Sequence, residues 1–600
     1  MAMNGHINKT ELIRKLCKLE GLTDEERNQL IALLQTHKKY GLVWEEKKEN
    51  VEERLRDELP VFQEVKDKFI PSETPEAPNH ILIEGDNLEA LTALSYTHEG
   101  KIDVIYIDPP YNTGNKDFVY NDSFVDSEDC YKHSKWLSFM NKRLKIAKRL
   151  LSDKGVIFIS IDDNEQAQLK MLCDGIFGVD HFICNFIWKS RQNKDNRNIS
   201  GVSIDHEYII CYCKTMGIRS FIGAERKMDN YSNPDNDPRG PWTSANMAGL
   251  ATEAARPNLH YDLIDPNTGI NYGRPQKGWR YDRNTMASLI ADNRILWPET
   301  PKGRPRKKSF LSEISDILPG YASIVGKDVY TRTATVEQND IFGNALFGFP
   351  KPVFLVQELI SQTSNKSSTI LDFFAGSGTT LHATMQLNSE DDGHRQCILV
   401  TNNENGICEK VTYERNKRVI QGYTTPKGIE VEGLHHNNLR YYRTAFISRD
   451  RTQKNMRSLV NAATDLLCIK EDLYKEQSAF GPLRLQPSLV RYFTDGIHHM
   501  LVVYHEELID QLVEAIKQMD FGRERLKVYV FSPGRYAFDD NFYEVSDKVL
   551  LVALPAAIYD AYQKVLPRRR PQPLTLESSN PAIPTDLFAG QEGFEKGGGL

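Results

Sequence analysis

The stretch KIDVIYIDPPYNTGNKDFVYND, residues 101–122, begins as an apolar strand and stops abruptly. The apolar run ends at Ile107, and an aspartate, two prolines and a tyrosine follow it directly. Proline cannot donate a hydrogen bond to a neighbouring strand, so two in succession end a strand. The stretch therefore predicts a buried strand whose carboxyl end displays Asp108, a backbone carbonyl and the ring of Tyr111. A strand-ending turn with an incidental aspartate is the structural alternative.

On both sides of this stretch, strand patterns alternate with helix patterns. Residues 81–94, ILIEGDNLEALTAL, predict a strand, a Gly-Asp turn and a helix. Residues 131–151 have apolar side chains at helical spacing, and residues 155–161, GVIFISI, form another apolar run. Strands that alternate with helices pair in parallel, so the sequence predicts a doubly wound α/β layer.

Length and composition limit the class of protein. Six hundred residues are too many for one core, and 40% hydrophobic with 26% charged residues is typical of a soluble globular chain. No apolar run is long enough to span a membrane, and the first residues have no apolar signal core, so we expect a cytoplasmic protein. The nine cysteines contain no C-x-x-C pair, which favours reduced thiols and no metal site.

Charge is unevenly distributed along the chain. The formal net charge is −7, yet residues 186–330 contain 21 Lys and Arg against 16 Asp and Glu. This segment is also rich in Asn, Gly, Pro and Trp and has few periodic runs. A basic, irregular insertion in an acidic chain is typical of local contact with a polyanion, although a modest positive excess also occurs on ordinary surfaces.

A glycine-rich turn lies much later in the chain, in LDFFAGSGTT, residues 371–380. Glycines after a buried strand allow positive φ and let a ligand approach the backbone near a helix N-terminus. No lysine follows Gly378, as a P-loop requires, and Leu381 stands where a dinucleotide fold has its third glycine. The pattern leaves two alternatives: a site for a nucleoside-like cofactor without phosphates, or a structural tight turn.

The residues after the strand in 101–122 suit an amino group. A carboxylate beside a rigid carbonyl provides two fixed acceptors for the two N–H donors of an aromatic amine. Both hydrogen bonds would localise the nitrogen lone pair and make the nitrogen nucleophilic. Tyr111 could stack on the base that carries the amine, which would have to be flipped out of a duplex.

The two motifs together resemble a known family. DPPY at 108–111 and FAGSG at 374–378 are similar to the paired motifs of S-adenosylmethionine-dependent DNA amino-methyltransferases. Their order, with the catalytic motif first, resembles the β class, in which the intervening insertion is the target-recognition domain. FPKP at 349–352 and EGDNLEAL at 84–91 also resemble segments of that family.

A narrower resemblance extends over about residues 40–440. YGLVWEEKKE, DPPYNTGNKDFVYND, DHEYII and NPDNDPRGPW resemble the modification subunit of type III restriction–modification systems. The resemblance implies a homodimer that binds double-stranded DNA, methylates adenine N6 and can assemble with a helicase–nuclease restriction subunit. It implies S-adenosylmethionine as the methyl donor, with no metal needed for methylation.

The resemblance assigns site residues by position. The catalytic residues are expected to be Asp108, Pro109, Pro110 and Tyr111. The cofactor-binding residues are expected to be Asp86, Asn87, Asp108, Lys351, Asp372, Phe374, Ala375, Gly376, Ser377, Gly378, Thr379, Thr380 and Asn402. Many relatives hold the cofactor ribose with an acid where this chain has Thr401, so Asn402 or Glu404 is expected to substitute. Aspartate before PPY favours adenine over cytosine.

The predicted DNA contacts lie in or beside the insertion: Arg191, Lys194, Arg239, Trp242, Arg304, Arg306, Lys307 and Lys308. Arg239 and Trp242 could equally brace a loop, and His206 is expected to be a structural residue at a strand edge. The expected domains are a helical arm (1–60), a catalytic half (61–187), a target-recognition insertion (188–340), a cofactor half (341–445), a C-terminal α/β domain (446–566) and a disordered tail (567–600).

Two other functions remain open from the sequence. One is a DNA-specificity platform that binds cofactor and site but mainly serves a nuclease partner. The other is an amino-methyltransferase that acts on cytosine N4, RNA or a protein amide. The basic insertion favours duplex DNA over the other substrates.

Overall fold

The computed structural model describes residues 42–567, except 75, 116, 122, 196–200, 219, 225–227 and 314–317, together with Leu16, Leu19 and Thr23. Most of the predicted helical arm and all but the first residue of the predicted tail lie outside the described residues. Within them, no helix is both long and apolar enough to cross a membrane.

The first part of the chain alternates strands and helices, as predicted. The strands are β1 (Glu58–Glu64), β2 (Asn79–Glu84), β3 (Ile102–Ile107), β4 (Val119–Tyr120), β5 (Ser123–Phe124), β6 (Leu151–Ile161) and β7 (Phe182–Trp188). The helices are α1 (Asn50–Asp57), α2 (Asn87–Thr97), α3 (Lys132–Leu150) and α4 (Gln166–Phe177). Helix α2 begins where the carboxylate of Asp86 accepts hydrogen bonds from the first free backbone amides.

The middle of the chain is less regular and then returns to α/β alternation. Its first elements are β8 (Glu207–Cys213), β9 (Trp242–Asn246), α5 (Arg283–Ala291), β10 (Ile295–Leu296), β11 (Arg306–Phe310) and β12 (Ile324–Val325). Regular alternation follows with α6 (Thr331–Phe342), α7 (Val353–Thr363), β13 (Thr369–Asp372), α8 (Thr379–Asp391), β14 (Gln396–Thr401), α9 (Glu414–Gln421), β15 (Tyr423–Thr424), β16 (Glu430–Val431) and β17 (Asn438–Ser448). A π-helical turn, Cys408–Tyr413, leads into α9.

Ten of these strands form one mixed sheet in the order β1-β17-β2-β14-β13-β3-β6-β8-β7-β12. Eight strands run in one direction, while β1 and β8 run against them. Residues of β3 alternate between two cores: Ile105 and Ile107 face the side of α2, α3 and α4, whereas Val104 and Tyr106 face the side of α7 and α8. Because both faces are covered, β3 reads as a continuous apolar run.

The sheet order brings the two motifs together. Strands β3 and β13 are parallel neighbours, with Val104 opposite Ile370 and Ile105 opposite Leu371. The DPPY turn and the glycine-rich turn follow the carboxyl ends of these two strands. Although more than 260 residues separate them in sequence, both turns therefore lie at the same edge of the sheet, where ligands bind in open α/β folds.

The predicted insertion, 188–340, is not one separate unit. Strands β8 and β12 belong to the main sheet, because each pairs with a strand of that sheet. The part with its own sheet, β10-β11-β9, lies within residues 228–313 and has a small core that includes Met247, Tyr261 and Trp279. The amino-acid composition indicated an irregular region, but it did not indicate that β8 and β12 belong to the main sheet.

The C-terminal part forms a second sheet in the order β18-β21-β22-β23-β24. Its elements are α10 (Gln453–Ala462), α11 (Thr464–Glu471), β18 (Glu476–Gln477), β19 (Ala479–Phe480), β20 (Leu483–Arg484), β21 (Val490–Thr494), β22 (His499–Val503), α12 (Ile509–Gln518), β23 (Leu526–Phe531), β24 (Val549–Leu554) and α13 (Ala556–Gln563). One face has its own core, and the other shares the core of the main sheet through α10, α11 and α13. The two sheets are therefore packed together.

Candidate functional site

The turn after β3 is held from behind by a tryptophan. The Nε1 of Trp136, a fully buried residue of α3, donates a hydrogen bond of 2.7 Å to the carbonyl of Pro110. The carbonyl of Pro109 accepts no hydrogen bond from any residue that the structure describes. The Asp108 carboxylate and the Pro109 carbonyl belong to consecutive residues of this turn, and their role as a pair of acceptors for an amine remains a prediction.

Lys351 joins this turn from the FPKP segment. Its ammonium donates to both carboxylate oxygens of Asp108 at 2.8 Å and to the hydroxyl of Tyr111 at 2.9 Å. It also lies 3.5 Å from the carboxylate of Glu207, which accepts a 2.9 Å hydrogen bond from Tyr111. One buried cation therefore lies between two carboxylates at the edge where β3 and β13 end.

Burial and charge act in opposite directions in this cluster. Burial raises the pKa of Asp108, and the Lys351 ammonium opposes that rise. Burial alone would lower the pKa of Lys351, but the charges of Asp108 and Glu207 outweigh it, so its pKa is raised. Burial also raises the pKa of Tyr111 well above its usual value, with the two carboxylates adding to the shift. Lys351 is therefore protonated, and Tyr111 keeps the proton that it donates to Glu207.

The glycine-rich turn has the conformation that its glycines allow. Gly376 has φ 50° and Gly378 has φ 78°, and helix α8 begins immediately afterwards. A Cβ at Gly376 would lie 3.2 Å from the ring of Phe347. Asp372 accepts hydrogen bonds from the amide of Phe374 (2.9 Å) and the hydroxyl of Thr380 (2.6 Å), and burial raises its pKa to about 7. Asp372 therefore braces the turn from inside.

The π-helical turn and α9 support the glycine-rich turn from the other side. The hydroxyl of Thr412 donates to the carbonyl of Gly376 at 2.7 Å. Arg415 donates to the hydroxyls of Ser377 (3.1 Å) and Thr379 (2.9 Å). Such π-helical insertions are frequent at functional sites. No sequence pattern indicated this support, because it comes from an element that follows the next strand.

Arg415 is a buried cation with little neutralisation. The residue is 1% exposed, and among the described residues Glu337, 4.0 Å away, is the one carboxylate within ion-pair distance. Its Nε has no hydrogen-bond partner within the described part of the chain, and burial lowers its pKa to about 10. A buried charge of this kind favours an anion nearby.

The two turns are coupled through Lys351. The hydroxyl of Thr379 donates to the backbone carbonyl of Lys351 at 3.2 Å, while the side chain of Lys351 binds Asp108. The N-terminus of α8 and the DPPY turn therefore contact each other through one residue. The structure brings together the predicted residues Asp108, Tyr111, Lys351 and Thr379.

Other predicted cofactor residues have different positions. Asp86 caps α2, and the Asn87 amide donates to the carbonyl of Phe373 at 3.1 Å, so both support the site from the end of β2, which is separated from β13 by β14. Phe374 is partly buried, whereas the amide of Ala375 binds the carbonyl of Val400 within the sheet. Asn402 and Glu404 are exposed just after β14, and Thr401 is buried.

Three of the predicted DNA contacts are structural in this fold. Lys308 is 3% exposed and pairs with Asp235 and Asp237, so it cannot reach a phosphate. Arg239 donates to Asp237 through two nitrogens at 2.8 Å, and the Trp242 indole donates to Asp235. Nearby carboxylates explain why these side chains turn inward. Burial and ion pairing favour a structural role for Lys308 over the predicted DNA contact, and for Arg239 and Trp242 the bracing role is favoured.

The remaining predicted contacts lie at or near the surface. Arg191, Lys194, Arg304 and Arg306 are exposed, and Lys307 is partly buried. Arg191 pairs with Asp195 at 2.7 Å, and Arg306 donates to the carbonyl of Ser244. Lys194 and Arg304 have no ion pair within the described residues.

Glu207 is the residue of the central cluster that the sequence analysis missed. It lies in DHEYII, where the analysis considered only His206. Because β8 runs against β6, the first residue of β8 lies at the carboxyl edge of the sheet and reaches Tyr111. The resemblance of DHEYII to a family segment was the one sequence signal that could have indicated Glu207.

Comparison with known proteins identifies relatives across this region. Residues 102–423 match the family model described as DNA methylase. The chain is 34% identical over 56% of its length to the StyLTI Mod subunit of a type III restriction–modification enzyme from Salmonella typhimurium, and covers 55% of that subunit. It is 54% identical over 57% of its length to the probable HindVI Mod subunit from Haemophilus influenzae, and covers 51% of that protein.

A shorter relative is matched over most of its length. The type II methyltransferase M.KpnI from Klebsiella pneumoniae is 36% identical over 57% of this chain, which covers 84% of that enzyme. The solved PvuII DNA methyltransferase is 12% identical, with a TM-score of 0.27 over 55% of this chain and 85% of that one, a likeness too weak to support an argument. The DNA methylase match includes β3, β13 and both turns and spans more than half of the 600 residues, so the chain belongs to the DNA methylase family.

Proposed function

We propose that this protein transfers the methyl group of S-adenosylmethionine to N6 of an adenine flipped out of duplex DNA. The observation that carries the proposal is the open Pro109 carbonyl beside the Asp108 carboxylate, next to the glycine-rich turn on the neighbouring strand. Membership of the DNA methylase family gives the reaction class, and the residues around the two turns give the roles.

The residues of the DPPY turn bind and activate the amine. Its two N–H groups donate to Asp108 and to the Pro109 carbonyl, which localises the nitrogen lone pair. Bound S-adenosylmethionine supplies an electrophilic methyl group carried on a sulfonium. The N–C bond forms as the S–C bond breaks, S-adenosylhomocysteine leaves, and the amine releases one proton to Asp108 or to water. Lys351 orients Asp108, whose carboxylate oxygens can each accept a further hydrogen bond from the amine.

The glycine-rich turn and its supports fit the cofactor. Positive φ at Gly376 and Gly378 lets a ligand approach the backbone, where a side chain would intrude. Arg415 donates to the hydroxyls of Ser377 and Thr379, and Thr379 donates its own proton to the carbonyl of Lys351, so Arg415 provides the buried positive charge at this end of the site. We assign this end of the site to the cofactor carboxylate and assign the ribose to Asn402 or Glu404. Asp372 supports the turn through the Phe374 amide and the Thr380 hydroxyl, and its predicted contact with the cofactor remains a proposal.

The order of parts supports a β-class arrangement. The DPPY turn precedes the glycine-rich turn, and the small subdomain of residues 228–313 lies between them in sequence. We assign DNA recognition to this subdomain, with Arg304, Arg306 and Lys307 as candidate contacts and Arg191 and Lys194 beside it. Replacing residues 228–313 with those of a relative of different specificity should then change the methylated sequence.

The wider biological role follows from the relatives. We propose that the chain is the modification subunit of a type III restriction–modification system, acts as a homodimer and can bind a helicase–nuclease partner. The identity to Mod subunits supports this role, and the chain spans 55% and 51% of the two described above. A specificity platform without catalysis is disfavoured by the complete set of acceptors at Asp108 and Pro109.

Methyl transfer from labelled S-adenosylmethionine to duplex DNA, followed by analysis of the modified base, tests the proposal. N6-methyladenine is the expected product. N4-methylcytosine would replace the adenine assignment and keep the mechanism, because both bases present an amino group. Cofactor binding without any labelled DNA would favour the platform function instead.

A further inference from the structure

A buried glutamate lies directly beneath the DPPY turn. Glu165, which follows β6, is fully buried. Its Oε1 accepts from the Asn112 amide at 2.6 Å and lies 2.7 Å from Nδ1 of His133. Its Oε2 has no hydrogen-bond partner within the described part of the chain. One oxygen of the carboxyl group therefore has two partners, and the other has none.

Asn112, the residue after Tyr111, also has a buried acceptor atom without a hydrogen-bond donor. It is buried, has φ 58°, and its amide nitrogen donates to Glu165 and to the carbonyl of Lys132 at 3.3 Å. Its Oδ1 has no partner among the described residues. Two buried acceptors without donors thus occur on two side chains that already share a hydrogen bond. A buried acceptor without a donor is costly, so the coincidence needs a cause.

We propose that Glu165 is a protonated carboxylic acid whose Oε2–H donates to Oδ1 of Asn112. A single proton then satisfies both acceptors and closes an acid–amide pair with two hydrogen bonds. Through this pair, Glu165 is a positioning residue that fixes Asn112 in its left-handed conformation and so holds the turn that carries Asp108 and Tyr111. Its effect on methylation rests on the proposed function, whereas the protonation state does not.

The surroundings agree with a neutral acid. Burial raises the pKa of Glu165, and the hydrogen bonds from Asn112 and His133 only partly oppose the shift. The charged or titratable groups that face it are His133 and Lys132 of α3, and Asp162 and Asp163 belong to its own loop. A neutral His133 ring with its proton on Nδ1 completes the acceptor set of Oε1. The competing arrangement is an ionised Glu165 paired with a protonated His133.

The pair makes the turn sensitive to rising pH. When Glu165 loses its proton, its Oε2 and the Oδ1 of Asn112 become two adjacent acceptors with no donor between them. The pKa of Glu165 is raised in the folded state, so the stability that the pair contributes is present at low pH. That stability is lost as pH rises through the folded-state pKa. Methyl transfer should decline in the same range as the turn loosens.

Exchange of acid and amide tests the pair in the full-length protein. In Glu165→Gln, an amide N–H replaces the O–H of the acid, so methylation should persist. The methylation rate of this variant should no longer fall as pH rises through the pKa of Glu165. Asn112→Asp places two acids together and should slow methylation about tenfold at neutral pH, since Oε1 of Glu165 and the carbonyl of Lys132 both lose the Asn112 donor. The double variant Glu165→Gln with Asn112→Asp restores an acid–amide pair in the opposite order and should recover most of that loss. Failure of the double variant to recover activity would overturn the proposal.

Protonation itself is measured without catalysis. The infrared spectrum of the wild type at neutral pH should contain a protonated-carboxyl C=O band that Glu165→Gln lacks. As pH rises, the thermal unfolding midpoint of Glu165→Gln should increase relative to that of the wild type. If the band is absent and Glu165→Gln loses stability mainly at acidic pH, Glu165 is ionised and paired with His133, and the proposal is wrong. These results hold even if methylation of adenine is disproved.

Discussion

Replacing Lys351 with methionine should move the acidic limb of the methylation profile to higher pH. Lys351 contacts both oxygens of Asp108 at 2.8 Å, and no other cation within the described residues pairs with Asp108. Opposite charges about 4 Å apart gain about 4 kcal/mol at an effective dielectric constant near 20. Since the Asp108 side chain is 26% exposed, solvent screening reduces this to about 3 kcal/mol. Losing this interaction raises the pKa of Asp108 further above its usual value, because the charge that opposes the effect of burial is gone.

Methyl transfer needs the ionised carboxylate of Asp108, so its rate falls as pH drops through that pKa. The single-turnover rate at saturating cofactor, measured across pH, gives the position of this limb. Lys351→Met should shift the limb to higher pH, and the charge-conserving control Lys351→Arg should follow the wild type. If the limb of Lys351→Met coincides with that of the wild type, Lys351 does not control Asp108 and the ion-pair reasoning is refuted.

Three further predictions concern the cofactor and assembly. Arg415→Met should weaken the binding of S-adenosylhomocysteine about tenfold, which corresponds to about 1.4 kcal/mol. In the same calorimetric titrations, the binding of 5′-methylthioadenosine should be unchanged, because this ligand has no carboxylate. Equal losses of affinity for both ligands would contradict the carboxylate assignment. Gly376→Val should abolish cofactor binding, because Gly376 has a positive φ and the Phe347 ring lies nearby. The control Gly428→Val, at a position with φ 77° in open space, should still bind the cofactor. Normal cofactor binding by a folded Gly376→Val variant would refute the turn assignment. Sedimentation at micromolar concentration should give a homodimer without DNA, and a fully active monomer would disprove the proposal that the protein acts as a homodimer.

The chain's local patterns predicted the centre of the fold and the site. Apolar runs alternating with helices led to the parallel layer, and the residues after β3 and β13 led to the two turns. Prolines and glycines constrain the backbone wherever they occur, so Pro109, Pro110, Gly376 and Gly378 are informative without knowledge of their neighbours.

Residues whose role depends on distant partners were missed or misassigned. Glu207 reaches the site because β8 pairs against β6, and Arg415 reaches it because α9 packs behind the glycine-rich turn. Neither pairing leaves a local pattern. Composition records the charge of Lys308 and Arg239 but not the orientation of Asp235 and Asp237, which pair with them, so the sequence could not separate a bracing role from DNA contact.

The central claim is that Asp108 activates the amino group while the glycine-rich turn independently holds the cofactor. Labelled methyl transfer to duplex DNA, measured beside cofactor affinity for the wild type and Asp108→Ala, tests it most directly. The account predicts N6-methyladenine from the wild type and none from Asp108→Ala, with cofactor affinity changed by no more than about threefold because Asp108 faces the amine. Methylation by Asp108→Ala at a rate near that of the wild type would contradict the account.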